Sequence, residues 1–269
     1  MKYMSFNSSC AFAGVANMLF SFGIDVQDRD IALGMKLPYL FAREENTFLA
    51  GPMLQSADWF NLYLHTIGFE MMERFVPREE IPERLAGEKT AMLGIRVSPR
   101  DKHAVVYTGK EGKLFRFLNN KWQHTEDPET FLFTQQELLS RLDKTVVIAT
   151  LHPCPARNAD IAPLLHGSCA VLMEMKEKLA AFCATQRSTE EMMAAMNTLF
   201  RPVLLDGITM LELIGKTELA SRLRMVQSEF MNAVRNGKTV ALAEVMQMDV
   251  LMQAIDDYIY LIDNQEKTI

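Results

Sequence analysis

Apolar residues recur at helical spacing in the first part of the chain. From Cys10 to Phe22 they fall three or four residues apart, and Gly23 ends the run. The same pattern predicts a short helix over residues 27–35 and a longer one from about Met53 to Thr66. Residues 36–51 show neither period and are expected to be irregular.

The pattern then changes to short runs rich in β-branched and aromatic residues, which are typical of strands. These runs are Phe69–Val76, Thr90–Val97, His103–Gly109, Lys113–Asn119 and Thr145–Leu151. Residues 107–113 contain two glycines and indicate a hairpin turn between two of them. Helices followed by antiparallel strands, without strand–helix alternation, predict an α+β fold rather than a doubly wound one.

A break is expected near residue 152, where Pro153 and Pro155 flank Cys154. The rest of the chain shows helical periodicity in four segments: Ile161–Gln186, Ser188–Leu199, about Lys216–Arg235, and a last helix with apolar residues from Val245 to Ile262. Ser188 and Glu191 match a capping box. We therefore expect two domains, an α+β domain over 1–152 and a helical bundle over 156–269.

Composition is that of an ordinary globular protein. The 269 residues are 49% hydrophobic and 23% charged, and the net charge is −6. A mildly acidic chain without a basic stripe is not expected to bind nucleic acid. The N-terminus does not resemble a signal peptide, and no apolar run is long enough to span a membrane. The four unevenly spaced cysteines do not form a disulfide framework, which predicts a reducing, cytoplasmic environment.

Cys10 is a candidate nucleophile because it lies where the first helix begins. The unpaired N–H groups and the dipole of a helix N-terminus favour a thiolate. A small buried hydrophobe is the alternative for a single cysteine.

His103 is a candidate base because it begins a strand after the polar turn Pro99–Lys102. A histidine there can point into a cleft, although an exposed loop histidine is the alternative. The next strand ends at Asn119 and Asn120. A side-chain amide at either position could hold the imidazole in one tautomer, and a plain turn is the alternative.

Taken together, these residues resemble the papain superfamily of cysteine peptidases in the order Cys, His, Asn. His103-Ala104-Val105-Val106 with Gly109 is similar to the His-Ala-Val strand of that superfamily, and Asn120-Lys121-Trp122 is similar to its Asn-Ser-Trp motif. The layout resembles the smaller bacterial relatives, namely the bacteriocin-leader peptidase-like domains and the butirosin-biosynthesis acyltransferase-like domains. Ser9-Cys10-Ala11-Phe12, Asn17-Met18-Leu19 and Phe22-Gly23-Ile24 are similar to the N-terminal pattern of the latter.

The resemblance covers about residues 1–151 and implies a papain-like fold in which Cys10 is the nucleophile and His103 its base. It also implies that Asn120, or alternatively Asn119, orients the histidine, and that Trp122 shields that contact. The chain departs from the pattern at Met4, which stands where the superfamily has its oxyanion-hole glutamine, and it lacks the glycine and tryptophan found around the nucleophile of papain proper. Asn7 or Ser8 is then the candidate oxyanion donor beside the Cys10 amide.

The expected reaction is thiol-dependent acyl transfer through an acyl-thioester. A peptidase- or amidase-like hydrolase is ranked first, an acyltransferase acting from a carrier thioester onto an amine second, and an inactive papain-fold binding module third. The expected substrates are peptides, amides or acyl carriers. No cofactor and no membrane partner are expected, and the helical bundle is a possible homodimer interface.

One other cluster contains metal-ligand residue types: His152, Cys154, His166 and Cys169. Their spacing does not match a zinc motif, so ordinary packing is the favoured interpretation.

Overall fold

A computed structural model describes residues 1–97 and 101–267 of the chain. These residues divide into two compact units. The first consists of Met1–Met35 and Gln55–Ala159, and the second of Lys36–Leu54 and the chain from Asp160 onward. This division differs from the predicted domains in two respects. Residues 36–54 belong to the same unit as the C-terminal helices, and the first unit extends to residue 159.

The first unit begins with three helices, each of which the sequence predicts. They are α1 (Cys10–Ser21), α2 (Asp28–Gly34) and α3 (Ala57–Leu64). Helix α1 is buried almost all around from Ala11 to Leu19, and all of these residues except Asn17 are small or apolar. A short 3-10 turn extends α3 to Gly68, which ends it with a φ of +77°.

Six antiparallel strands form the sheet of this unit. They are β1 (Phe69–Pro77), β2 (Ala91–Arg96), β3 (Lys102–Glu111), β4 (Leu114–Asn119), β5 (Thr130–Phe133) and β6 (Thr145–Pro153), in the spatial order β1-β6-β2-β3-β4-β5. The five predicted strands are confirmed, together with the α+β class. Strand β5 was missed, as were helices α4 (Ile81–Ala86) and α5 (Gln135–Arg141), because each is too short to establish a period.

Different helices cover the two faces of the sheet. Helices α4 and α5 close one face, where Leu85 and Leu138 join a core that includes Ile95 and Val105. Helix α1 packs on the other face, where Gly14 adjoins Met92. His103 is paired with Ile95 across the ladder, so it shares the face of Ile95 at the end of β3. Of the turn that precedes it, residues 98–100 lie outside the described residues.

The second unit is mainly helical, as predicted. Its helices are α6 (Ala162–Cys183), α7 (Thr189–Ala195), α8 (Ile208–Leu213), α9 (Thr217–Asn236) and α10 (Met248–Glu266). The capping box of Ser188 and Glu191 is confirmed. Two π-helical segments, Met196–Phe200 and Pro202–Gly207, join α7 to α8. Pro202 lacks the N–H that a regular α-helical ladder requires, which accounts for a wider turn there.

The segment predicted as irregular contains a β-hairpin, so that prediction was wrong. Strands Phe41–Glu44 and Thr47–Ala50 pair antiparallel, with Phe41 opposite Ala50. Ser168 of α6 accepts the Phe41 N–H at 2.9 Å, and the Tyr258 hydroxyl donates to the Pro38 carbonyl at 2.8 Å. These strands are formed by contacts within the second unit, which a local pattern does not reveal. A two-residue ladder, Gln186–Arg187 with Val240–Ala241, completes the unit.

Within the described residues, no helix combines the length and the apolar character needed to cross a bilayer.

Candidate active site

Cys10 is the first residue of α1 and is half-buried. Ser9 precedes it as the N-cap residue, yet its side chain does not cap the helix. The Ser9 hydroxyl instead donates to Asp28 Oδ2 at 2.8 Å. The first turn also contains no acidic residue. The main-chain N–H groups around the sulfur are therefore left without a side-chain cap, an environment that suits an anion.

A buried carboxylate holds the loop that leads to Cys10. Asp28 is fully buried and accepts the Ser5 N–H at 2.7 Å and the Ser5 hydroxyl at 2.5 Å, in addition to the Ser9 hydroxyl. Its own neighbour Arg29 donates a further main-chain N–H. These hydrogen bonds satisfy a charge that would otherwise be costly to bury. The sequence did not single out Asp28, because an Asp in a helix first turn is common.

The loop also carries the predicted oxyanion donors. Ser8 adopts a left-handed conformation with a φ of +61°, which is uncommon for a residue with a side chain. Asn7 and Ser8 are both exposed, immediately before the helix start. Their position agrees with the predicted role, and neither is buried in the core. That role stays a prediction.

His103 is held by a main-chain group. Its Nε2 atom lies 2.6 Å from the carbonyl oxygen of Asn120. Because a carbonyl oxygen only accepts hydrogen bonds, Nε2 carries the proton. In the neutral ring, the lone pair is then on Nδ1, which is the nitrogen available to act as a base.

Asn120 is fully buried and its side chain is committed elsewhere. Its Nδ2 donates to the Ala104 carbonyl at 2.9 Å, and its Oδ1 accepts from Asn17 Nδ2 at 3.0 Å. The prediction that the Asn120 amide orients the imidazole is thus corrected. The atom of Asn120 within hydrogen-bond distance of the ring is its main-chain oxygen, because its amide joins the strand end to α1.

Asn17 connects the same helix to the N-terminal segment. Its amide exchanges two hydrogen bonds with the main chain of Lys2, at 2.6 and 3.0 Å, besides the bond to Asn120. The sequence contained a signal for this residue, since Asn17 is a polar residue within an otherwise apolar helical run. A buried amide of this kind needs partners, and these three hydrogen bonds provide them.

The face of α1 that approaches Asn120 also carries Cys10. Residues 10, 14 and 17 are spaced as one helical face. A methyl group on Gly14 would lie 2.8 Å from Asn120 Nδ2, so helix and strand end are in close contact. Cys10 precedes Gly14 by one turn, about 6 Å along the axis. Among the described residues, no hydrogen bond joins the Cys10 thiol to the His103 ring.

Asn119, the alternative to Asn120, anchors the loop that follows β4. Its Nδ2 donates to the Pro128 carbonyl at 2.8 Å, and its main-chain N–H donates to the Glu129 carbonyl at 2.8 Å. Its Oδ1 is buried and has no partner among the described residues. No hydrogen bond from its side chain to His103 is described, although both residues line the same groove.

This groove, termed the His103 groove, has a volume of about 480 Å³. Its lining includes Met4, His103, Asn119, Trp122, Pro128 and Phe131. Met4, at the position of the missing glutamine, donates its N–H to the Lys121 carbonyl at 2.9 Å. Trp122 is 39% exposed and forms an isolated β-bridge with Met4. The predicted tryptophan therefore lines the same groove as the histidine. Cys10 is not part of the described lining.

Three of the four residues of the other candidate cluster, His152, Cys154 and Cys169, have ordinary partners. His152 Nε2 lies 2.9 Å from the Thr150 hydroxyl, and the Cys154 N–H donates to the Gly68 carbonyl. The Cys169 thiol faces the Ile259 carbonyl at 3.9 Å. Over residues 1–97 and 101–267, no three His, Cys, Asp or Glu side chains are grouped so that they could hold a metal ion.

The chain was compared with protein-family models, curated proteins and solved structures. The sequence matches no protein-family model and no curated protein. Among solved structures, the chain is similar to the peptidase domain of Streptococcus ComA, which is described as a bi-functional ABC transporter involved in a quorum-sensing pathway. The TM-score is 0.38 and the identity 10%, over 55% of this chain and 95% of that one. Similarity at this level does not transfer an activity or a residue role.

Proposed function

We propose that the first unit catalyses thiol-dependent acyl transfer, with Cys10 as nucleophile and His103 as base. The observation that carries the proposal is the position of Asn120. Its main-chain oxygen accepts from His103, while its side chain is bound to Asn17 on the helix that begins at Cys10. One buried residue is thus hydrogen-bonded both to His103 and to the helix that begins at Cys10.

The tautomer of His103 leaves Nδ1 as the ring nitrogen that can accept a proton. Nδ1 takes the thiol proton of Cys10, and the thiolate attacks the acyl carbon of an amide. When the C–N bond breaks, the proton passes from His103 to the leaving nitrogen, and an acyl-thioester remains on the sulfur. His103 then takes a proton from a water molecule, whose oxygen attacks the thioester carbon. The C–S bond breaks, the acid is released, and the proton passes from His103 to the sulfur. The Cys10 N–H and Asn7 are the proposed donors to the intermediate oxyanion.

His103 and α1 lie on opposite faces of the sheet. The proposed proton transfer therefore requires the Cys10 sulfur and the His103 ring to approach each other beyond the strand ends, where β3 begins and β4 ends. Catalytic hydrogen bonds are often longer in the absence of substrate and tighten when substrate binds. A peptidase- or amidase-like hydrolase on peptide or amide substrates is the proposed primary activity. Transfer from a carrier thioester to an amine shares the first half of the reaction.

The four cysteines are free thiols. We propose a reducing, cytoplasmic compartment for the protein, because a thiol nucleophile stays reduced in such a compartment. We also propose that each unit folds independently. We further propose that the helical unit forms the interface of a homodimer.

Labelling with iodoacetamide, read by peptide mass spectrometry, tests the proposal. We expect Cys10 to react roughly tenfold faster than Cys154 and Cys169, because a thiolate is the reactive species. His103→Ala should remove that advantage, and His152→Ala is the matched control that should not. Equal, slow labelling of all accessible cysteines in the wild-type protein would support an inactive binding module instead.

A further inference from the structure

Strand β1 lies at one edge of the six-stranded sheet and, among the described strands, pairs with β6 alone. On that side, the Gly68 carbonyl accepts the Cys154 N–H at 2.9 Å, and the Arg78 N–H donates to the Lys144 carbonyl at 3.1 Å. Main-chain groups alternate in direction along an antiparallel strand. Even-numbered residues of β1 therefore direct theirs to β6, and odd-numbered residues direct theirs to the outer side.

Asn61 of α3 occupies the first part of this outer side. Its Oδ1 accepts the Met71 N–H at 2.7 Å, and its Nδ2 donates to the Met71 carbonyl at 3.0 Å. One amide thus makes both hydrogen bonds that a residue of an antiparallel strand would make opposite Met71.

Glu73 and Phe75 come next along the same side. Over residues 1–97 and 101–267, no hydrogen bond to their outward main-chain groups is described. These two positions, termed the open edge of β1, are therefore a template on which a further strand can pair.

The side chains beside the open edge include an apolar pair. Phe75 is 79% exposed, and Val147, which lies opposite it on β6, is 38% exposed on the same face of the sheet. Natural proteins usually protect a sheet edge with charged residues, a bulge or a covering helix. A large exposed aromatic residue at an unpaired edge indicates instead a surface that is covered by a partner.

The same edge adjoins an acidic groove of about 440 Å³. Three carboxylates belong to its lining, Asp58, Glu70 and Glu73, and no Lys or Arg is part of the described lining. Glu70 lies within ion-pair distance of His65 and Arg157. For Asp58 and Glu73 no ion pair is described in the same part of the chain, so their charge is available to a cationic side chain from outside.

We propose that the open edge of β1 binds an extended segment of a partner protein as a seventh, antiparallel strand. Such a strand places one residue opposite Phe75 and, two positions later in its own sequence, another opposite Glu73, with both side chains on one face. The apolar pair Phe75 and Val147 selects a large apolar residue at the first position. The carboxylates of Glu73 and Asp58 select Lys or Arg at the second. The recognised pattern is thus apolar-x-basic, read from the N-terminus.

This surface is separate from the candidate active site, because β6 and β2 lie between β1 and the strand that carries His103. A second copy of β1 also fits the edge less well than a partner segment. Antiparallel pairing centred on Glu73 or on Arg74 places like charges directly opposite each other, which is unfavourable. Pairing centred on Phe75 brings Pro77 into the ladder, and proline has no N–H to donate.

Titration of the ¹⁵N-labelled full chain with the peptide acetyl-Thr-Phe-Thr-Lys-Thr-amide tests the proposal. We expect a saturable shift of the amide NMR signals of Glu73 and Phe75. N-methylation of the peptide Phe should weaken binding by roughly three- to tenfold, because the lost N–H faces β1. N-methylation of the central Thr is the matched control, because that N–H faces away from β1, and it should leave the affinity unchanged.

Variants of the chain test the side-chain preferences. Phe75→Ser should weaken binding by up to about fivefold, as expected for the loss of a cross-strand apolar pair. Leu132→Ser is its matched control, because Leu132 is 44% exposed on β5, at the opposite edge of the sheet, and it should change nothing. A peptide with Glu in place of Lys should bind the wild-type chain more weakly than the original peptide, and Glu73→Lys should reverse that preference.

No saturable shift with the original peptide would overturn the proposal. Equal affinity for the peptide N-methylated at Phe would overturn strand pairing, and unchanged affinity in Phe75→Ser, folded as judged by circular dichroism, would overturn the apolar position. Equal affinity for the Lys and Glu peptides would overturn the basic position. Shifts of the Glu73 and Phe75 signals with protein concentration alone would assign the edge to a second copy and overturn the choice of partner.

Discussion

The main-chain oxygen of Asn120 lies 2.6 Å from Nε2 of His103, so the group that orients the histidine is one that side-chain substitution does not remove. The Asn120 amide has a separate task, the bonds to Asn17 and to the Ala104 carbonyl. Orientation of the ring and attachment of the strand end to α1 can therefore be separated by mutation.

Asn120→Ala should lower the free energy of unfolding by roughly 1–3 kcal/mol, because Asn17 Nδ2 and the Ala104 carbonyl each lose a buried partner. The tautomer of His103 should remain unchanged, since the main-chain oxygen is still present. Chemical denaturation measures the first effect, and imidazole ¹⁵N NMR shifts measure the second. Loss of the Nε2–H tautomer in the folded variant would show that the side chain, not the backbone, orients the ring.

Asp28→Ala should destabilise the first unit by roughly 2–4 kcal/mol, because three donor groups of Ser5 and Ser9 lose a buried charged acceptor. The loop before Cys10 should loosen, and the selective labelling of Cys10 should decrease. Asp58→Ala is the matched control. Asp58 also lies in the first turn of a helix, α3, but it is exposed, so the change should be below about 1 kcal/mol. Similar melting of the two variants would argue against Asp28 as the anchor of the loop.

Gly14→Ala should destabilise the protein although alanine favours helices. Its methyl group would overlap Met92 Sδ and lie 2.8 Å from Asn120 Nδ2, so these two buried side chains must shift, which is expected to cost about 1–3 kcal/mol. Gly167→Ala in α6 is the control, because nothing lies within 4 Å of its methyl position. There the helix propensity of alanine should stabilise by up to about 1 kcal/mol. Denaturant unfolding of both variants gives the comparison, and stabilisation by both would contradict the close contact.

Cys183 should resist alkylation in the native protein. Burial raises the pKa of its thiol to about 12, so the thiolate is scarce at neutral pH. This pKa is higher in the folded state than in the unfolded state. The contribution of the protonated thiol to the free energy of unfolding is therefore complete below the unfolded pKa of 9.0, and it is lost as the pH rises towards 12. Labelling of Cys183 at pH 8 should therefore require denaturant, and the free energy of unfolding of the second unit should fall above pH 9. Rapid labelling of Cys183 in the native state at pH 8 would contradict its burial.

Periodicity along the chain was sufficient to predict the long elements. Helix α1, the strand that begins near His103 and the three long helices of the second unit appear within a few residues of their predicted bounds. Each buries a continuous apolar stripe, and such a stripe is a local property of the sequence. The hairpin at residues 41–50 and strand β5 were missed, because strands of four residues gain their hydrogen bonds from distant partners.

Residue chemistry and spacing alone nominated Cys10, His103 and Asn120, since a nucleophile, a base and an amide are recognisable as types. Only the tertiary structure shows which atom of Asn120 contacts the imidazole and which helix its amide binds. The same is true of the loop that Asp28 fixes. These features depend on hydrogen bonds between residues from 17 to 103 positions apart in the chain. Such bonds form only after packing has removed water from both partners, and no local pattern of side chains encodes the distance or direction at which they close.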